Sequence, residues 1–194
     1  MTPDAVTFPS VGVMGLLHCT FGADSWRRVG YAAVSAPVGL VALLLTPVRP
    51  RRAAELQRRV AGRLLGGPPP GPARVPGSVG YALLSLPLGV LGLWLAFLLV
   101  PNTVRNLLYG VFPEVDYSHA WGGPTLAGAW AVHAAGALAL VPVGLWLLRG
   151  LTALQRRLAD ALLGPAPLSA PLTGLCAVVV LIGGVLLRAF LHQA

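Results

Sequence analysis

The chain reads as an all-α polytopic membrane protein: a bundle of about four transmembrane helices with two interfacial amphipathic helices on the cytoplasmic surface. Three observations predict this. Only 10% of the 194 residues are charged and mean hydropathy is +0.75, whereas a soluble domain carries about 25% charged residues. Uncharged runs of twenty residues or more recur at 29–48, 79–100, 124–148 and 165–187. Two basic segments, 51–66 and 149–164, repeat one amphipathic pattern directly after such runs.

Residues 1–24 are a weakly apolar lead, diluted by Thr7, Pro9, Ser10, His18 and Thr20, and are not counted as a span. The first half-repeat occupies 25–66. It opens with Trp26, Arg27 and Arg28, a pairing typical of a membrane edge. The twenty residues 29–48 suffice to cross ~30 Å of hydrocarbon at ~1.5 Å per residue. Pro37 and Gly39 would kink that run or turn it back as a re-entrant loop; a single crossing is preferred, because re-entrant backbone must be covered by protein. In 51–66, Ala53, Leu56, Val60 and Leu64 share a face, and Glu55 is spaced to pair with Arg59. Gly66 and Pro68 stop the helix, and 67–78 is a Pro/Gly linker.

The second repeat occupies 79–164: a span over 79–100, a polar outer connection over 102–123, a return span over 124–148 and the basic helix 149–164. In that helix Leu151, Leu154, Leu158, Ala161 and Leu162 share a face, Arg156 is spaced to pair with Asp160, and Gly164 followed by Pro165 ends it. A C-terminal span over 165–194 closes the chain.

The two repeats correspond closely. Residues 29–39 and 79–89 agree at seven of eleven positions, including Val-Gly-Tyr-Ala and the later Ser, Pro and Gly. The Leu-Gln-Arg-Arg run at 56–59 recurs at 154–157, each ending in Leu-Leu-Gly. Two like ends belong on one face, and the arginine excess puts that face inside, in the cytoplasmic membrane.

Net charge is +8, with arginine as the basic residue throughout. A basic balance suits polyanions, but these arginines gather at the ends of apolar runs. Their partner is therefore the anionic headgroups of a lipid bilayer rather than nucleic acid. Arg58, Arg59, Arg63, Arg156 and Arg157 are the candidate membrane-surface or partner-binding residues.

Four motifs carry chemistry that must be weighed. Glu114, Asp116 and His119 form an E-x-D-x-x-H cluster with ligand atoms for a divalent metal; its spacing is loose and no second cluster supports it, so a solvated loop is the preferred reading. His133 is an ionisable group inside a span, hence a candidate polar site; a neutral imidazole bonded to a neighbouring helix is preferred. The P-x-G pattern of Pro37 and Gly39, Pro87 and Gly89, Pro142 and Gly144 is read as close helix packing. Cys19 and Cys176 lack metal-ligand spacing and are read as buried thiols. With no G-x-S-x-G, HExxH or Walker A motif, neither catalysis nor a cofactor is expected.

The segments SWRRVGYAAVSAPVGL, ELQRRVAGRLLG, VGYALLSLPLGVLGLWLAFLLVP and LLRGLTALQRRLADALLG together resemble the membrane sensor domain family of actinobacteria. That domain is found at the N-terminus of two-component histidine kinases, and the resemblance covers residues 26–164. It implies span pairs each followed by a basic amphipathic helix, and signal transduction as the role. This chain departs from the pattern: the first span pair is shortened to one span, and an additional span stands where a kinase would follow. A signal is therefore expected to leave through a separate partner, a histidine kinase or another membrane protein. A small transporter, a transporter accessory subunit and a membrane scaffold are the rival readings.

Overall fold

Helix dominates because each uncharged run must satisfy its backbone polar groups internally. The computed structural model describes residues 21–66, 75–111, 116–164 and 169–192, and these contain no strand. Helix α1 is Ala23–Leu45, α2 is Pro50–Leu65 and α3 is Val75–Phe97. A π-helical turn, Leu98–Asn102, then leads into the short α4, Thr103–Leu107, and a 3-10 turn, Tyr109–Val111. Helix α5 is Leu126–Leu162 and α6 is Ala170–Leu191. Four stretches are long and apolar enough to cross a membrane: Ala23–Leu45, Gly77–Val111, Leu126–Leu162 and Ala170–Leu191. The protein thus has the make-up of a multi-pass membrane protein.

The run at 29–48 does not turn back at Pro37. Helix α1 passes through it unbroken, with Ser35 Oγ donating to the Ala32 carbonyl at 3.2 Å. Helix α2 carries Pro50 in its first turn and ends, as expected, on Gly66 with φ of 64°, a left-handed cap that favours glycine. The expected Glu55–Arg59 pair forms at 3.8 Å. Of the expected apolar face, Ala53 is buried while Leu56, Val60 and Leu64 are only half-buried; the buried side is instead Ala53, Ala54, Gln57, Ala61 and Leu65.

Three boundaries differ from expectation. Residues 75–78 of the anticipated linker belong to α3, since nothing in Val-Pro-Gly-Ser prevents Pro76 from sitting in a first turn. The anticipated outer connection at 102–123 is helical through Val111, where the π turn at Pro101 lets the rod continue without the proline's missing donor breaking it. Most consequentially, 149–164 is not a separate surface helix. It is the second half of α5, which runs 37 residues without a break at Gly150. Helix α5 ends at Leu162, and Gly164 does not take the left-handed conformation.

Helix α5 lies antiparallel along the whole α3–α4 rod. Gly77 meets Leu162 at one end, Gly92 meets Leu151, Leu99 meets Gly144, and Trp130 Nε1 donates to the Leu107 carbonyl at 2.8 Å near the other. The leucine face of 149–162 therefore packs on protein rather than lipid. Leu151, Leu154 and Leu158 join Ala61, Tyr81, Leu88 and Cys176 in the larger core cluster. Each leucine covered in this way gains ~1.5–3 kcal/mol relative to exposure to water. Cys176 is buried as a free thiol.

Helix α5 starts with Thr125, whose side chain accepts from Gly128 N at 3.1 Å. Gly122, with φ of 103°, makes the turn before it, and a side chain there would strike the Gly128 carbonyl. The lead at 1–20, including Cys19, and the end of the chain at 193–194 lie outside the described residues.

Candidate functional site

Where the first and second repeats meet, the structure brings their matching residues together. Tyr31 and Tyr81, equivalent positions of the repeat, share a hydrogen bond of 2.9 Å between their hydroxyls, both rings being buried. A Cβ on Gly89 would lie 2.8 Å from Ala36 N, and one on Gly39 would lie 3.6 Å from Leu86 Cδ1. Adding fifty to the first-copy residue and subtracting it from the second turns one contact into the other. Contacts that exchange in this way mark a pseudo-two-fold relation between α1 and α3.

A small polar chamber sits against this junction. Tyr31, Ser35 and Gly39 of α1, Gln57 of α2, and Tyr81 and Ser85 of α3 line it, and its volume is about 10 Å³, room for a single water. Gln57 is 2% exposed; its Oε1 accepts from Ser78 Oγ at 2.9 Å, while its Nε2 has no partner. Gln155, the same glutamine of the second Leu-Gln-Arg-Arg run, is also fully buried and neither amide atom is paired. A buried amide group without a partner costs roughly 1–3 kcal/mol, so these glutamines are kept against their solvation preference.

The second polar feature fastens α1 to α5. Arg149 Nη2 donates to Ser25 Oγ at 3.1 Å, and Arg28 Nη1 donates to Thr152 Oγ1 at 3.0 Å. Arg28 Nε also pairs with Asp24 at 2.8 Å, and Thr152 Oγ1 donates to the Leu148 carbonyl at 2.8 Å. Ser25 and Thr152 are both buried. The two rungs advance together, Ser25 to Arg28 and Arg149 to Thr152, so α1 and α5 run in the same direction here.

The candidates expected from sequence fall as follows. Glu114 lies outside the described residues. Asp116 commits its carboxylate to Ser118, accepting from the backbone N–H at 2.8 Å and the hydroxyl at 2.9 Å. These two bonds hold its carboxyl below the ordinary 3.8, with the backbone bond the larger cause. Among the described residues no three His, Cys, Asp or Glu side chains gather as a metal site would require. The hydrogen bond of His133 runs within its own helix, where one to a neighbouring helix was anticipated. Its Nδ1 donates to the Ala129 carbonyl of its own helix at 2.8 Å, and its ring stacks on Tyr109 with centroids 4.2 Å apart. Arg59, Arg63, Arg156 and Arg157 are exposed and Arg58 is half-buried. The anticipated Arg156–Asp160 pair does not form, because Asp160 lies half-buried toward Tyr81 while Arg156 faces outward. The P-x-G glycines do serve close approach: a Cβ on Gly144 would meet Leu99 Cδ2 at 2.6 Å.

Sequence reasoning passed over Tyr31, Tyr81, Gln57, Gln155, Ser25 and Thr152. The available signal was that the tyrosine and the glutamine recur at fixed places in otherwise apolar or basic copies. No family model matches the chain, and no curated protein or solved structure matches it either.

Proposed function

We propose that this protein is a sensor-like module of the cytoplasmic membrane that relays an envelope or bilayer signal to a separate protein through its two arginine-bearing helical segments, 50–65 and 149–162. The observation that carries this reading is the continuity of α5. One helix, with Pro142 inside it, joins the turn at Gly122 to the Leu-Gln-Arg-Arg run, so a shift or rotation at its start is carried along a single rod to Arg156 and Arg157. The Arg28–Thr152 and Arg149–Ser25 rungs then pass that motion to α1, and through α1 to α2. The likeness of 26–164 to the actinobacterial sensor domain family, read from sequence, points the same way, with a histidine kinase or other membrane protein as recipient.

Single cysteines at Arg58→Cys and Arg157→Cys, in a Cys19→Ser, Cys176→Ser background, test the relay. In vesicles, the rate of modification at both positions is expected to change together when the bilayer is stretched osmotically. Equal rates with and without stretch would refute it.

A further inference from the structure

The hydroxyls around the small chamber of α1, α2 and α3 do not all find partners in the protein. Tyr31 and Tyr81 share one hydrogen bond. Whichever of them donates, the other hydroxyl keeps a proton with no acceptor among the described residues. Ser35 and Ser85 are equivalent positions of the repeat, yet they differ here. Ser35 Oγ turns to its own helix and donates to the Ala32 carbonyl, whereas the Ser85 hydroxyl makes no hydrogen bond among the described residues. The lining of the chamber thus holds two unmatched donors, one tyrosine O–H and the Ser85 O–H. It also holds two acceptors with lone pairs to spare. Ser35 Oγ receives no bond, and Gln57 Oε1 receives only the one from Ser78 Oγ, at 2.9 Å.

These side chains are nearly closed to the outside: Gln57 is 2% exposed, Tyr31, Tyr81 and Ser85 are 3% and Ser35 is 6%. Bulk water does not complete them, and a buried hydroxyl left unpaired costs ~1–3 kcal/mol. Two free donors and two free acceptors are the complement of one water molecule, which accepts twice and donates twice. The volume, about 10 Å³, meets the ~10–15 Å³ that a single water needs. An ion fits less well. No charged residue lines the chamber to offset the desolvation of an ion, and a cation would leave both O–H protons unmatched.

We propose that this chamber is a binding site for one water molecule, held by Tyr31, Tyr81, Ser35, Ser85 and Gln57 Oε1 as a fixed part of the fold. The water joins α1, α2 and α3 where the two copies meet. Gln57 Nε2 is closed off by packing and takes no part. This site stands independently of the relay proposed above.

The test is the electron density of crystals of the full chain grown from a lipidic mesophase. One water peak is expected in the chamber, within ~2.5–3.2 Å of Ser85 Oγ and of one tyrosine oxygen. Ser85→Val removes one partner and puts a methyl group into the space, so the peak should be lost while the Tyr31–Tyr81 bond remains. Ser85→Ala leaves the space open and should keep the peak without its contact to position 85; it serves where Ser85→Val fails to fold. An empty chamber in the unaltered chain, or a water that stays in place in Ser85→Val, overturns the proposal. Soaking in rubidium chloride adds a second arm. An anomalous peak in the chamber would assign it to a monovalent cation and overturn the proposal equally.

Discussion

Tyr31 and Tyr81 show how a repeated sequence stabilises its own interface. Each hydroxyl is the other's partner, so removing one leaves its mate buried and unpaired. Tyr81→Phe is expected to lower stability by about 1–3 kcal/mol, and the Tyr31→Phe, Tyr81→Phe double variant by less than either single change, because both polar groups then leave together. Denaturant titration in detergent micelles reads this; additive losses would mean the two hydroxyls act separately. Asp116 offers a second residue-level check. Its carboxyl is held below the ordinary value by Ser118, so the stabilisation it gives the turn is complete above pH 3.8 and is lost as pH falls through its lowered value. Ser118→Ala removes the hydroxyl bond but keeps the backbone one, and NMR titration should find the Asp116 pKa raised yet still below normal.

Among the elements, α5 decides most of the behaviour. Gly150→Pro would remove a hydrogen bond in mid-helix and introduce a clash one turn back, costing about 3 kcal/mol and uncoupling 126–148 from 151–162. Circular dichroism and the linked cysteine rates described above would report both effects; unchanged linkage would mean that the signal does not travel along this helix. Gly89→Leu tests the junction of α1 and α3. Its Cβ would come 2.8 Å from Ala36 N, a backbone atom that cannot rotate aside, so overpacking by ~1–3 kcal/mol is expected in the same denaturant titration.

Much of this was legible from the residues, and the part that was not has a physical cause. The uncharged runs gave the long helices correctly, because length and hydropathy alone decide whether a stretch can bury its backbone in hydrocarbon. Gly66 gave the end of α2, because a left-handed cap is a local requirement. The misread element was 149–164. Its leucine spacing announces an apolar face but not what covers it. Lipid and the flank of α3 satisfy the same pattern, and only the tertiary fit of Leu158 against the Tyr81 and Leu88 surface distinguishes them. Likewise, the spacing did not single out Gln57 and Gln155, because their burial depends on how the copies dock.

At the scale of the whole molecule, the docking of the copies fixes which end of each basic segment is near which. The two Leu-Gln-Arg-Arg segments are expected on one side of the bilayer, so Arg58→Cys and Arg156→Cys should both react with a membrane-impermeant maleimide in inside-out vesicles and neither in right-side-out ones. Labelling from opposite sides would refute the shared placement.

The pairing of Leu99 with Gly144 has a consequence for the lipid itself. Counting from that contact, Arg105 stands level with residue 138 and Arg149 level with residue 94. The charge-free lengths of the two long rods are thus offset like fingers of two hands slid past each other, and overlap for only about ten residues, ~15 Å at 1.5 Å per residue. That is half the ~30 Å thickness of an undisturbed hydrocarbon layer. If both rods cross one bilayer, that bilayer is expected to thin around them and to draw headgroups and water toward the guanidiniums of Arg105 and Arg149. Such a dimple would make the molecule's own energy depend on membrane thickness.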